Sequence, residues 1–168
     1  MSIRVCINGV SGWTGSAVAR GVLAAPDFGL TAGVARSVAG QDIGSMLGLD
    51  AAGITVAASV EEALATAPDV MIDYTHPTAV RGHVELAVKA GVACIVGTSG
   101  LTKDDYEQLG AMAETAGVGV IAAGNFSLTA ALAKHFAGIA ARYVPHWEVL
   151  DYGHGGKPDA PSGTAREL

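Results

Sequence analysis

The chain closes on His154-Gly155-Gly156-Lys157-Pro158-Asp159-Ala160-Pro161-Ser162-Gly163-Thr164, followed by Ala165-Arg166-Glu167-Leu168. These residue types suit the capture of an anion. A carboxylate needs a fixed cation and several donors, and Lys157 supplies the charge. Ser162, Gly163 and Thr164 open a short helical pattern and supply hydroxyls and backbone N–H groups. Pro158 and Pro161 restrict the loop and lower the cost of ordering it. The plain alternative is a capped helix after a proline turn.

A second cluster lies at the other end. Gly9, Gly12 and Gly15 form a G-x-x-G-x-x-G pattern within "INGVSGWTGSAVARG", directly after an apolar run. Between a strand and a helix, the first glycine permits a sharp turn and the next lets backbone N–H groups approach a pyrophosphate. The third lets helix and strand pack closely, while the helix N-terminus attracts the anion. Trp13 and Thr14 lie in the same loop and join the candidate cofactor residues. The alternative is a glycine-rich turn in an α/β core. The following strand pattern ends Val34-Ala35-Arg36-Ser37, with no acid to hold ribose hydroxyls. Arg36 is suited to pair with a 2′-phosphate and stack on adenine, which favours NADPH over NADH. The rival reading is a solvated surface arginine. Asp42 lies too far beyond the strand end for the ribose role.

The elements that must carry these residues alternate. Strand patterns cover 3–8, 30–36, 53–59, 69–74, 92–97 and 118–124; helical patterns cover 15–25, 60–67, 77–91 and 103–117. Pro77 suits a first helical turn, Gly91 and Gly117 suit helix ends, and Thr102 suits a helix start. Alternation of this kind predicts a Rossmann-type, doubly wound parallel sheet. A long helical pattern at 127–143 and a strand of polar and aromatic character at 146–153 follow. We expect a dinucleotide-binding domain at 1–125 and the start of an α+β substrate and oligomerisation domain at 126–168.

Composition narrows the function classes. Half of the 168 residues are hydrophobic, 15% are charged, and the formal net charge is −6, the opposite of a nucleic-acid footprint. No apolar stretch is long and uncharged enough to span a bilayer. The N-terminus lacks the long apolar region of a signal peptide, so a cytoplasmic protein is expected. Cys6 and Cys94 sit in apolar strand patterns and read as reduced core residues. No histidine or cysteine pair has metal-ligand spacing, and no metal is expected.

Three strand ends carry distinctive residues: "IDYTHPTA", "VGTSG" and "AAGNFS". Each places small or hydroxyl residues where a nicotinamide and a substrate would meet in an open α/β sheet. With the glycine loop and "GKPDAPSGTA", they resemble the 4-hydroxy-tetrahydrodipicolinate reductases (dihydrodipicolinate reductases) of lysine and diaminopimelate biosynthesis. The resemblance runs from the glycine loop to the last residue, and the K-x-D-A-P-S-G-T run is its most specific part. It implies a Rossmann domain followed by a substrate and tetramerisation domain, and hydride transfer from NAD(P)H to a cyclic unsaturated dicarboxylate. It further implies that Gly9, Gly12 and Gly15 meet the pyrophosphate and Arg36 the adenosine phosphate. Thr75, Gly97, Thr98, Asn125 and Phe126 would lie around the nicotinamide. Lys157, Ser162, Gly163 and Thr164 would hold the substrate, and a homotetramer is implied by resemblance alone.

The chain departs from the family at two points. The family's proton donor is a histidine four positions before the lysine, and here that position is Gly153. Glycine transfers no proton. His154, next along, matches the family's second histidine. Either it takes over the role, or Tyr152, Lys157 or a water donates, or the substrate is a related imine or enamine; an orienting or merely exposed His154 is equally open. The family's second domain continues well past the one strand, loop and helix start that the pattern holds here, so the chain is expected to be part of a longer protein. Two rival functions remain. "GVSGWTG" also resembles the loop of N-acetyl-glutamyl-phosphate reductases, which need an activated cysteine. A non-catalytic nucleotide-binding homologue is the other. His83 and His135 fall in helical patterns and read as structural or exposed, while His76 follows Thr75 at a strand end and could approach a cofactor.

Overall fold

The structure is a computed structural model that describes residues 2–152 and 164–165. It divides into two units, Met1–Ile121 and Ala122–Leu168. In the first, strands β1 (Ile3–Asn8), β2 (Phe28–Val34), β3 (Val56–Ala57), β4 (Val70–Asp73), β5 (Ala93–Val96) and β6 (Val120–Ala122, which reaches the second unit) form one sheet. Their order is β3-β2-β1-β4-β5-β6. The β1–β2, β1–β4, β2–β3 and β4–β5 pairs are all parallel. The chain therefore winds outward from β1, then restarts beside it at β4. Ligand crevices in open sheets form at this reversal, beyond the carboxyl ends of the central strands.

The intervening helices are α1 (Trp13–Ala24), α2 (Ile43–Met46), α3 (Val60–Leu64), α4 (Val80–Lys89) and α5 (Lys103–Ala116). Helix α1 packs Ala19 and Val22 onto Val5, Ile7 and Val10, with Ile43, Leu47 and Val56 closing that core. Helix α4 buries Val80, Val84, Ala87 and Val88, a repeat of three and four residues that makes one apolar stripe. Valine, isoleucine and alanine fill the interior, so helices approach the sheet closely. Each fully buried valine or isoleucine contributes about 1.5–3 kcal/mol.

Local chemistry sets the element ends. Thr102 caps α5 in a reciprocal box: its hydroxyl accepts from Asp105 N (3.2 Å), and Asp105 Oδ2 accepts from Thr102 N (2.8 Å). Gly117 ends the helix at φ 69, the left-handed conformation that glycine adopts without steric cost. Asp42 caps α2, accepting from Ser45, Ala52 and Ile54 N–H groups. It is thereby engaged in a turn.

Three expectations need correction. Helix α1 begins at Trp13, ahead of the expected residue 15, so Trp13 and Thr14 are its first residues. Pro77 is not in the first turn of α4. It sits in the turn before α4, where Ala79 N and Val80 N both donate to His76 O, at 2.9 and 3.2 Å, and Ala79 stands at the N-cap. No strand forms at 146–152, and the final residue of that expected strand lies outside the described residues. Among the described residues after Ala122 there is no strand to pair with it. The second unit instead holds α6 (Leu128–Ala140), an apolar helix that buries none of its residues. No helix among the described residues is long and apolar enough to cross a membrane.

Replacing Thr102 by alanine removes the α5 cap and leaves Asp105 short of a donor. A loss of about 1–2 kcal/mol is expected in chemical denaturation of Thr102→Ala; an unchanged midpoint would show the box to be dispensable.

Candidate functional site

The glycine loop is built by close approach. Gly9 leaves β1 at φ +86, and a Cβ on it would lie 2.2 Å from Tyr74 O. A Cβ on Gly15 would lie 2.0 Å from Gly9 O. Neither position accepts another residue without moving backbone. The turn is fixed by Gly9 N and Val10 N, which donate to Val34 O at 3.0 and 3.1 Å, and by Gly12 N, which donates to Gly9 O at 3.0 Å. Gly12 is the N-cap of α1, and no side chain caps it. The helix start therefore offers backbone donors and the positive end of its dipole to an anion. Trp13 beside it is 95% exposed, so the tryptophan contributes nothing to the core. Arg36 opens a short 3₁₀ turn (Arg36–Val38) just past β2 and is exposed.

At the carboxyl ends of the central strands lies a buried carboxylate. Asp73 ends β4 and is wholly buried. Its Oδ2 accepts from Asn8 Nδ2 (2.7 Å) and His83 Nδ1 (3.0 Å). Its Oδ1 accepts from the hydroxyls of Thr75 (2.8 Å) and Thr98 (2.5 Å), and from Thr75 N (3.2 Å). Thr98 Oγ1 in turn accepts from Thr75 N at 2.7 Å. Burial pushes the Asp73 carboxyl up. The hydrogen bonds from His83, Thr98 and Thr75, with the His83 charge, outweigh it and hold the group below the usual carboxylate range. A hydrogen bond to Oδ2 calls for the Nδ1–H form of His83.

Thr75, Gly97 and Thr98 thus stand together with the glycine loop at one sheet edge. Gly97 has its own close contact: a Cβ there would lie 2.1 Å from the Tyr74 ring. In the second unit, Asn125 Nδ2 donates to Thr164 Oγ1 at 3.0 Å. Asn125 Oδ1 accepts from Ser127 N at 2.8 Å, just before α6. Asn125, Thr164, Lys134 and His135 line a cavity of about 330 Å³. Phe126 is half-exposed. His154, Lys157, Ser162 and Gly163 lie outside the described residues, as does Gly153. His76 turns into its own loop, its Nδ1 3.0 Å from Thr78 Oγ1.

Asp73 and His83 were not among the candidate site residues. His83 reads from the helical pattern as structural or exposed; in fact it is 24% exposed and bound to Asp73. The available signal was its position three residues after Val80, on the flank of the buried stripe of α4. A titratable side chain there must meet the sheet. Cys6 and Cys94 are buried, and burial pushes both thiols up to about 12, with Cys6 and Asp73 adding to the effect at Cys94. Neither is a nucleophile near neutral pH, so neither suits the thioester chemistry of an acyl-phosphate reductase.

The strand order, the reversal at β1 and β4, and the uncapped glycine loop define a doubly wound α/β domain of the Rossmann type. The family model described as dihydrodipicolinate reductase, N-terminus, matches residues 3–126, and the chain belongs to that family. It is 40% identical to the 4-hydroxy-tetrahydrodipicolinate reductase of Moorella thermoacetica over 165 residues, 98% of this chain and 62% of the relative. It is also 40% identical to the protein of that name from Thermosynechococcus vestitus, over 97% of this chain and 61% of the relative. The chain thus spans about three fifths of the length of the curated relatives it matches. Among solved structures, the dipicolinate-bound dihydrodipicolinate reductase from Paenisporosarcina sp. TG-14 aligns with a TM-score of 0.77 at 34% identity, covering 99% of this chain and 64% of that one. An amine dehydrogenase from Mycobacterium smegmatis, 22% identical with a TM-score of 0.64 over 74% of this chain and 40% of its own, shares the fold alone.

The depressed Asp73 carboxyl sets an acid limit. Its contribution to stability is complete above the unfolded value of about 4 and is lost as pH falls through the lower folded value. The wild type should therefore lose stability below about pH 4 more steeply than Asp73→Asn, in denaturation followed by circular dichroism. Parallel acid limbs would contradict an ionised Asp73.

Proposed function

We propose that the protein reduces 4-hydroxy-tetrahydrodipicolinate to tetrahydrodipicolinate, the 4-hydroxyl leaving as water, with NADPH, or less readily NADH, in lysine and diaminopimelate biosynthesis. Membership of the reductase family carries this reading, supported by alignments with proteins of that name that run through 97–98% of this chain. The cofactor fits the residues present, because close backbone packing keeps Gly9 and Gly15 free of side chains and α1 starts at Gly12 with no side-chain cap, which leaves backbone donors for a pyrophosphate. When bound, the reduced nicotinamide supplies a hydride to the substrate ring.

The protein's own groups do the rest. Gly9, Gly12 and Gly15, with Trp13 and Thr14, seat the pyrophosphate at the start of α1. Arg36 holds the 2′-phosphate by charge and hydrogen bonds, which favours NADPH. Thr75, Gly97, Thr98, Asn125 and Phe126 bound the nicotinamide. Lys157 neutralises a substrate carboxylate, and Ser162, Gly163 and Thr164 donate to it. The Asn125–Thr164 hydrogen bond supports this assignment, because it joins a cofactor candidate to a substrate candidate. His154 delivers the proton to the ring carbon beside the hydride acceptor. Glycines flank it in the sequence on both sides, residue types that permit a backbone placing the imidazole in the role that Gly153 cannot fill. We place the enzyme in the cytoplasm as a homotetramer.

The test is oxidation of the reduced cofactor on adding substrate generated enzymatically in the same cuvette. Turnover is expected, with NADPH the better cofactor. Arg36→Ala should weaken NADPH binding by about tenfold more than NADH binding; equal losses would remove Arg36 from the 2′-phosphate site. Lys157→Ala should lower kcat/KM on the order of 10²-fold, and unchanged kinetics would take Lys157 out of the substrate site. His154→Ala should lower kcat by about 10²-fold or more. Tight NADPH binding without any turnover by the wild type would favour the non-catalytic homologue.

A further inference from the structure

The turn that carries Arg36 stands on β3. Ala35 N donates to Ala57 O at 3.1 Å on one side of it, and Gly40 N donates to Val56 O at 2.9 Å on the other. Residues 36–39 are therefore a short arch with both feet on a two-residue strand. That strand pairs with β2 only at Gly33–Val56 and Val34–Ala57. Two residues of parallel pairing fix a strand weakly. On its other side β3 meets the chain leaving the arch: Val56 N donates to Gln41 O at 2.8 Å, and Asp42 forms a bridge with Thr55.

Asp42 closes this arrangement. Capping α2 needs only the bond from Ser45 N to Oδ1 (2.9 Å). The same carboxylate also takes Ala52 N on Oδ1 (3.0 Å) and Ile54 N on Oδ2 (3.2 Å), ten and twelve residues ahead. Ile43 N adds a bond to Ile54 O at 2.8 Å. Gly44 lets the two segments close, since a Cβ there would lie 2.1 Å from Asp50 O and 2.7 Å from Ala52 N. The hydrogen bonds from Ser45 and Ala52, then those from Gly53 and Ile54, outweigh burial and hold the Asp42 carboxyl below the usual carboxylate range. It therefore accepts on both oxygens. One side chain thus clasps the chain leaving the Arg36 arch to the chain entering β3.

We infer that Asp42 is a positioning residue for Arg36: by holding the segment that enters β3, it sets where the arch presents the guanidinium, and with it the preference for a phosphate on the adenosine 2′ position. This rests on the phosphate role proposed above for Arg36. Arg36 is exposed, so the backbone of the arch decides its aim. A guanidinium that reads a phosphate with two parallel hydrogen bonds needs one orientation of its plane, and a small shift of the arch costs that fit. The glycine loop is anchored elsewhere, by Gly9 N and Val10 N on Val34 O of β2. Loss of the clasp should therefore harm phosphate recognition selectively.

Calorimetry on the full chain compares two probes that differ by one group, adenosine 2′,5′-bisphosphate and 5′-AMP. The wild type should prefer the bisphosphate by about tenfold, and Arg36→Ala should remove most of that preference. Asp42→Ala should lower the ratio toward the Arg36→Ala value while 5′-AMP binding changes little. In the Arg36→Ala background, Asp42→Ala should change the ratio no further, because the clasp acts through the guanidinium. Asp42→Asn keeps one oxygen for Ser45 and Ala52 and should give a ratio between wild type and Asp42→Ala; it also carries the test if Asp42→Ala does not fold. A merely structural Asp42 would weaken both probes together and leave the ratio at its wild-type value, which overturns the inference and leaves Arg36 in its role. A further loss of preference in the double variant overturns it too. Equal binding of both probes by the wild type removes Arg36 from the 2′-phosphate, and the inference with it. Failure of both probes to bind overturns the dinucleotide reading itself and takes the inference along.

Discussion

An ionised carboxylate with no access to water is costly unless every lone pair is answered, by several kcal/mol for an unpaired ion. Asp73 is in that position, and its donors come from four places in the chain. Asn8 ends β1, Thr75 follows β4, Thr98 follows β5, and His83 stands on α4. One buried charge therefore ties the carboxyl ends of the three central strands to the helix that crosses between two of them. The sheet reversal, between β1 and β4, has this anion at its carboxyl end. Moving any one of these elements leaves a buried charge short of a donor, so the network resists the small displacements that would blur a binding site.

Tyr74, the next residue, extends the same constraint to the glycines. Its carbonyl oxygen lies where a Gly9 Cβ would be, and its ring lies where a Gly97 Cβ would be. The strand end that carries the acid thus also demands the absence of side chains on both flanks. Backbone is left exposed at the sheet edge, close to an uncapped helix start. That combination suits the anion site proposed for the glycine loop, over a rigid base. The residues that pack this part of the core are the residues that shape the site, or their immediate neighbours in the chain.

Most of the first unit was legible in the sequence because its interior is covered on both faces. Apolar runs such as Ile3–Asn8 and Ala93–Val96 have no amphipathic ambiguity, and the glycine and capping residues between them mark the turns. The glycine loop could be read by position, since a strand followed by Gly9-x-x-Gly12-x-x-Gly15 and a helix has few physical uses. The failures have equally local causes. Pro77 suits a first helical turn by its own geometry, yet residues 77–79 form a turn hydrogen-bonded to His76 O and α4 starts only at Val80. The strand expected at 146–153 was read from residue types alone. A strand is a statement about a partner, and no strand pairs with 146–152 among the described residues.

The sequence by itself determined the alternation of strands and helices, the turn that leaves no room for side chains, and the family to which these belong. Each depends on neighbours within a few residues, where backbone sterics and hydrophobic period decide the outcome. The tertiary structure alone decided that Asp73, Asn8, Thr75, Thr98 and His83 are one group. Asn8 and Asp73 stand 65 positions apart, and Thr98 lies 25 beyond Asp73. No local rule links them. Parallel pairing brings strand ends together regardless of separation in the chain, and a buried charge then holds whatever donors arrive there.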